Sequence, residues 1–168
     1  MHWNDYFLDL FSRCVNRYRR GERDFETYYD DEDLEFLRTI GHRKREFFDF
    51  VEDFCDEDQP SPTTALLVAS IRREYFHVVM GGEFAQPTVS ADNIPTFGDH
   101  LEGIHYLPRI LAKARAKLRG ELDPDLMFGC GGDRKFLREN GGIHPADFLR
   151  EVWKAGDDDA KIAAWIQG

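Results

Sequence analysis

The sequence predicts an all-α protein made of two related small helical units packed as a pseudo-symmetric helical bundle. Three observations carry that expectation. Apolar residues recur at three- and four-residue intervals through most of the 168 positions, the period of a half-buried helix. The breaks between these stretches hold Gly, Pro, Ser and Asp where helices start and stop. A short motif, Phe36-Leu37-Arg38-x-x-Gly41, returns as Phe136-Leu137-Arg138-x-x-Gly141, one hundred positions later.

In the first half, Tyr6, Phe7, Leu10, Phe11, Cys14, Val15 and Tyr18 fall on one helical face, and Gly21 follows a basic last turn of Arg17, Arg19 and Arg20. Asp31 to Glu35 put carboxylates at the positive pole of a second helix, which runs to about Ile40 and is stopped by Gly41. Arg45 to Phe54 carries Phe47, Phe48, Phe50, Val51 and Phe54, the stripe of a third helix ending near Cys55. Ser61-Pro62 reads as an N-cap followed by the first helical position, where proline's missing N–H is not needed. The helix from Ser61 to Met80 is apolar nearly all round and is therefore expected to be buried and central.

From Gly81 to Gly98 the period lapses, and Pro87, Pro95 and an isolated Val89 indicate a linker with at most a short strand. Four more helices follow: Pro108 to Arg119, stopped by Gly120; Asp133 to Glu139; Pro145 to Lys154; and Asp157 to Ile166. The expected organisation is thus a unit over residues 1–82, a linker over 83–98 and a second unit over 99–168. Further matches support a repeat. Arg20-Gly21-Glu22 faces Arg119-Gly120-Glu121, and Tyr6-Phe7-Leu8 roughly faces Tyr106-Leu107.

Composition narrows the function classes. The chain has 42% hydrophobic and 14% aromatic residues, enough apolar material to fold. Its 32 acidic against 22 basic residues give a net charge of −10, which repels nucleic acid and anionic membranes. Cys14, Cys55 and Cys130 are odd in number and form no Cys-x-x-Cys pair, so neither a disulfide framework nor a thiolate zinc site is expected. The opening Met1-His2-Trp3-Asn4-Asp5 lacks a basic leader region, and the longest apolar run, Ala65 to Ala69, is too short to span a bilayer. A cytoplasmic, reducing location is the expectation.

Two segments could carry chemistry. Arg109, Lys113, Arg115, Lys117 and Arg119 crowd five cations onto one helix, flanking a stripe of Leu107, Ile110, Leu111, Ala114 and Leu118. Ala112 and Ala116 occupy the back, where small residues let a second element or ligand approach. The flanks would then be walls of a basic cleft for an anionic group. Phe128-Gly129-Cys130-Gly131-Gly132-Asp133 places a cysteine in a glycine-rich turn ahead of a helix, where backbone N–H groups and the helix dipole favour a thiolate, and Asp133 could cap that helix. His100-x-Glu102-x-x-His105 lacks the spacing of a zinc site, and no Walker loop or dinucleotide fingerprint is present, so neither a metal nor a cofactor is expected.

The runs Leu101-x-Gly103-Ile104-x-x-Leu107-Pro108-Arg109-x-x-x-Lys113-Ala114-Arg115-Ala116-x-Leu118, Gly129-Cys130-Gly131-Gly132-Asp133-x-x-Phe136-Leu137 and Ile143-x-Pro145-x-Asp147-Phe148 resemble the bacterial domain of unknown function 5069 family over about 99–168. The opening Trp3-Asn4-Asp5-Tyr6-Phe7 and Glu46-Phe47-Phe48-Asp49-Phe50 are similar to longer members. The resemblance implies a small, cytosolic, helical protein and carries over no catalytic residue. Its motif positions are Leu107, Pro108, Arg109, Lys113, Arg115, Cys130 and Asp133.

The leading expectation is a cytosolic binding module for a small anionic ligand or a protein partner, using the cleft beside Arg109, Lys113 and Arg115 with Cys130 and Asp133 nearby. A second is a thiol-dependent enzyme or redox sensor in which Cys130 is the nucleophile beside Lys113 or Arg115. A third is a structural or homo-oligomeric domain presenting Trp3, Trp153 and Trp165.

Overall fold

The helical periods become eight α-helices in a computed structural model that describes residues 1–168. They divide between two compact units, Met1–Phe84 and Ala85–Gly168. No helix is long and apolar enough to cross a membrane.

The first unit holds α1 (Trp3–Arg19), α2 (Asp31–Thr39), α3 (Lys44–Glu57) and α4 (Pro62–Val78), with a 3-10 turn at Phe25–Thr27. Helix α1 buries Phe7, Leu10, Phe11, Cys14, Val15 and Tyr18, the face set by its periodicity, and packs on α3 and α4. The core is aromatic: Phe7 and Phe47 meet edge-on at 5.0 Å between ring centroids, and Phe11 meets Phe54 at 5.7 Å. Helix α2 starts at a capping box, in which the Asp30 carboxylate accepts from the Asp33 N–H and Asp33 accepts from the Asp30 N–H. Gly41 sits at φ +70, and a Cβ there would lie 2.7 Å from the Phe76 ring, so both backbone conformation and close packing require glycine.

Helix α4 is capped as its sequence indicates, with Ser61 Oγ accepting from the Thr64 N–H at 3.1 Å. Its expected central position is not observed. The helix buries one face through Ala65, Val68, Ala69, Arg72 and Phe76, while Leu67, Val78 and Val79 are exposed. The apolar residues that blurred its amphipathic pattern lie on the solvent side.

The second unit begins earlier than the sequence indicates. Residues from Ala85 onward, expected as a linker, belong to it. The N–H groups of Thr88 and Val89 both donate to the Glu121 carbonyl at 2.9 Å, and the Asp123 N–H donates to Val89 O at 2.8 Å. A short hairpin follows, β1 (His100–Leu101) and β2 (Ile104–His105), in register His100 to His105 and Leu101 to Ile104. Glu102 (φ 50) and Gly103 (φ 77) form its two-residue turn with both residues left-handed, the geometry whose twist suits a tight hairpin. Two-residue strands give too little alternation to reveal themselves in sequence.

Helices α5 (Leu107–Arg119), α6 (Gly131–Glu139), α7 (Pro145–Ala155) and α8 (Asp159–Gln167) complete the unit. It is α5, not α4, that is buried on several sides: Ile110, Leu111, Lys113, Ala114, Ala116, Lys117 and Leu118 are all covered. Helix α7 packs on α5 and buries Phe148, Leu149 and Val152.

A candidate binding site in the second unit

Burial of α5 decides the fate of its cations. Its expected apolar stripe widens to take in the flank carrying Lys113 and Lys117, which are 2% and 3% exposed. A lysine so placed needs a partner, since an unpaired buried charge is costly. Lys113 Nζ lies 2.7 Å from Asp133 Oδ2 and donates to Cys130 Sγ at 3.2 Å. Asp133, itself 0% exposed, also accepts from the Tyr106 hydroxyl at 2.7 Å and from the Gly129 N–H at 2.9 Å. Burial, reinforced by the Asp133 charge and hydrogen bond, pushes the Tyr106 phenol well above its ordinary value, so it stays a donor.

The predicted site residues therefore separate. Lys113, Cys130 and Asp133 are brought together. Arg109 instead donates to Pro95 O at 3.0 Å and lies 4.1 Å over the Phe97 ring. Arg115 donates to Gly156 O at 3.0 Å and pairs with Asp159 at 2.5 Å, tying α5 to the start of α8. The expected open basic cleft along α5 is thus not formed: Lys113 and Lys117 are buried, and Arg109, Arg115 and Arg119 reach to Pro95, Gly156 with Asp159, and Asp157. Of the two alanines expected at the back of α5, Ala116 is buried and Ala112 half-buried, and no row of free cations borders them.

What lies open is a cleft of about 560 Å³ on another side of the unit, lined by Phe97, Gly103, Ile104, His105, Tyr106, Gly132, Lys135, Phe136, Glu139 and Asn140. Aromatic rings form its wall, with Phe97 5.9 Å from Tyr106 and Tyr106 5.6 Å from Phe136. Lys135 stands exposed at its edge, 3.9 Å from Glu139. The hairpin supplies the opposite edge, where the rings of His100 and His105 pair at 5.2 Å.

The cleft reaches the first turn of α6. Cys130 is the N-cap and is half-buried, yet makes no side-chain cap hydrogen bond. Unlike Asp30 on α2, it leaves the N–H groups of Gly131, Gly132 and Asp133 without a side-chain acceptor at the positive end of the helix. Gly132 is helical and needs no unusual dihedral. A Cβ there would stand 3.0 Å from Tyr106 Oη and 3.9 Å from Cys130 Sγ, so its bare Cα is what keeps the wall open.

The first unit contains a counterpart one hundred positions earlier. Tyr6 Oη donates to Asp33 Oδ1 at 2.8 Å, and Arg13 spans both oxygens of Asp33 at 3.0 and 2.7 Å. Burial alone would raise the Asp33 pKa, but the hydrogen bonds from Arg13 and Tyr6 outweigh it and hold the carboxyl below its ordinary range. Cys130 and Gly132 correspond there to Asp30 and Glu32, a filled cap and a side chain. A second cleft, of about 440 Å³, lies in this unit beside Arg13, Arg17, Arg20 and Asp33, but these cations are already paired with acids.

Tyr106 and Gly132 were missed as site residues in the sequence. The facing of Tyr6 and Tyr106 was the available signal, because each tyrosine bonds the acid twenty-seven positions on. The tryptophans give little surface: Trp3 and Trp153 are half-buried, Arg73 lies 4.9 Å over the Trp3 ring, and Trp165 is 39% exposed.

The architecture defines a helical protein of two units whose second carries an aromatic cleft beside a buried Lys–Asp pair. Residues 97–168 of the second unit match a family model described as a domain of unknown function (DUF5069). No curated protein and no solved structure matches the chain.

Proposed function

We propose that the second unit is a binding module for a small organic anion with an apolar, planar body. The observation that carries this reading is the uncapped first turn of α6 at the wall of an aromatic cleft. The body would lie against Phe97, Ile104, Tyr106 and Phe136. The anionic head would meet the N–H groups of Gly131 and Gly132 and the ammonium of Lys135, an arrangement suited to carboxylate or phosphate. The expectation of an anionic ligand is kept, while its seat moves from α5 to α6. Lys113 then acts indirectly, because by neutralising Asp133 it keeps a negative charge from repelling the ligand.

The two units are read as copies of one ancestral helical unit. The shared Tyr–Asp–cation set supports this, since such a set has no reason to recur at one fixed offset by helix packing alone. The first copy has filled the cap with Asp30 and serves as scaffold. Free cysteines fit a cytosolic protein.

The test is a thermal-shift titration of the whole chain with benzoate, phenyl phosphate and inorganic phosphate. A ligand at one hundred times its Kd stabilises by about 2.7 kcal/mol. The aryl anions should stabilise wild type, inorganic phosphate should do so far less, and Lys135→Glu, an exposed change, should abolish the effect. No stabilisation by either aryl anion, or stabilisation untouched by Lys135→Glu, would overturn the reading.

A further inference from the structure

We infer that Lys113 and Cys130 are the two halves of a redox cross-link, joined through a nitrogen–sulfur bond when the protein meets a peroxide. The inference is independent of ligand binding at the cleft. It rests on a pair, not on the thiol alone: Nζ is 3.2 Å from Sγ, Asp133 Oδ2 is 2.7 Å from the same nitrogen, and the lysine is almost wholly removed from water. Cys130 itself is half-buried, less enclosed than the 2%-exposed lysine behind it.

The chemistry balances with a peroxide as the only co-reactant. The sulfur electron pair attacks one peroxide oxygen, the O–O bond breaks, and the thiol becomes a sulfenic acid with release of one water. The Lys113 ammonium gives a proton to the Asp133 carboxylate. The freed nitrogen lone pair attacks sulfur, the S–N bond forms and the S–O bond breaks. The departing hydroxide takes a second proton from nitrogen and leaves as water. Sulfur has been oxidised and peroxide reduced, and a thiol reductant reverses the step by attacking sulfur and expelling the amine.

Sulfenic acids usually condense with a neighbouring thiol or a backbone nitrogen. The second unit has no other cysteine, since Cys14 and Cys55 both lie before residue 85. Lys113 is the amine placed to take that role. The first unit supplies an internal contrast, because Arg13 and Asp30 stand at the equivalent positions and cannot form such a bond. Cross-linking would pin α5 to the first turn of α6 and replace the Lys113–Asp133 ion pair beside the cleft.

The experiment is peptide mass mapping of the full chain after graded hydrogen peroxide, without and with dithiothreitol. The expected product joins the peptides containing Lys113 and Cys130, is lighter than their sum by two hydrogen atoms, and disappears on reduction. It should be absent in Cys130→Ser and in Lys113→Arg, with circular dichroism confirming that each variant is folded. The wild-type result decides the matter even if Lys113→Arg does not fold. Cys130 found only as sulfinic or sulfonic acid, joined to the Gly131 backbone nitrogen, or unmodified would overturn the inference.

Discussion

Replacing Asp133 by Asn should be among the most damaging single changes in the second unit, and its cost follows from the geometry. The carboxylate is fully buried and satisfies Lys113, Tyr106 and the Gly129 N–H at once. Asp133→Asn keeps the shape but leaves the Lys113 ammonium without its counter-charge in a site it cannot leave. Breaking a buried pair in this way costs about 3–5 kcal/mol. For a unit of this size each kcal/mol moves the midpoint by about 4–8 °C, so a fall on the order of 12 °C or more is expected. Asp33→Asn is the control. Arg13 is 43% exposed and can turn to water, so the loss there should be nearer about 1–2 kcal/mol. The double change Lys113→Met with Asp133→Leu removes both charges and should recover most of the stability. Urea unfolding followed by tryptophan fluorescence is the assay, with Trp3 reporting on the first unit and Trp153 and Trp165 on the second. An Asp133→Asn loss no larger than that of Asp33→Asn, or a double variant as unstable as the single, would refute the reasoning.

Other consequences are equally concrete. Cys130→Asp, which copies the cap of the first unit, should stabilise α6 by about 1 kcal/mol in thermal melts while abolishing aryl-anion binding. Gly41→Ala should cost about 3 kcal/mol in urea unfolding, because it combines a left-handed dihedral with a Cβ 2.7 Å from Phe76. Burial, together with hydrogen bonds to Asp33 and Asp56, pushes the Tyr6 and Tyr18 phenols up to about 12, so their share of stability is complete below pH about 10 and is lost as pH rises towards about 12. A tyrosinate absorbance titration should therefore show them ionising late, and ionisation near the ordinary value would count against their burial. Asp33 runs the other way: its lowered pKa contributes stability above the ordinary carboxylate range that is lost as pH falls through the folded value, so Asp33→Asn should flatten the acid limb of a pH–stability curve.

Some helix starts were legible because they are written in local chemistry, but α6 begins at Gly131, two residues before the Asp133 expected to open and cap it, because its N-cap, Cys130, makes no side-chain cap hydrogen bond. Ser61 caps α4 ahead of Pro62, and the carboxylates Asp31 to Asp33 fill the first turn of α2, as the sequence indicates; the Asp30 cap of α2 is a structural finding. Burial was less legible. The near-continuous apolar run of α4 looked central, yet Leu67, Val78 and Val79 face solvent, whereas the cation-rich α5 is the helix that is covered. A periodic pattern shows which face is apolar but not whether a buried acid waits for a lysine at its edge. Asp133 lies twenty positions from Lys113, so their pairing is tertiary information. The one clue was spacing, since Tyr6, Arg13 and Asp33 stand one hundred positions before Tyr106, Lys113 and Asp133. The hairpin at 100–105 and the docking of residues 85–98 on the second unit were hidden because they depend on two-residue strands and main-chain hydrogen bonds to Glu121.

The central claim is that the first turn of α6 is left uncapped to receive an anion, and backbone amide spectroscopy reads that turn directly. An ¹⁵N titration of the whole protein with phenyl phosphate should shift the Gly131, Gly132 and Asp133 amides in a saturable way, with accompanying shifts at Tyr106 and Lys135, and Cys130→Asp should abolish them. Amides of α6 that stay still while phenyl phosphate is added, or that shift equally in Cys130→Asp, would contradict the account.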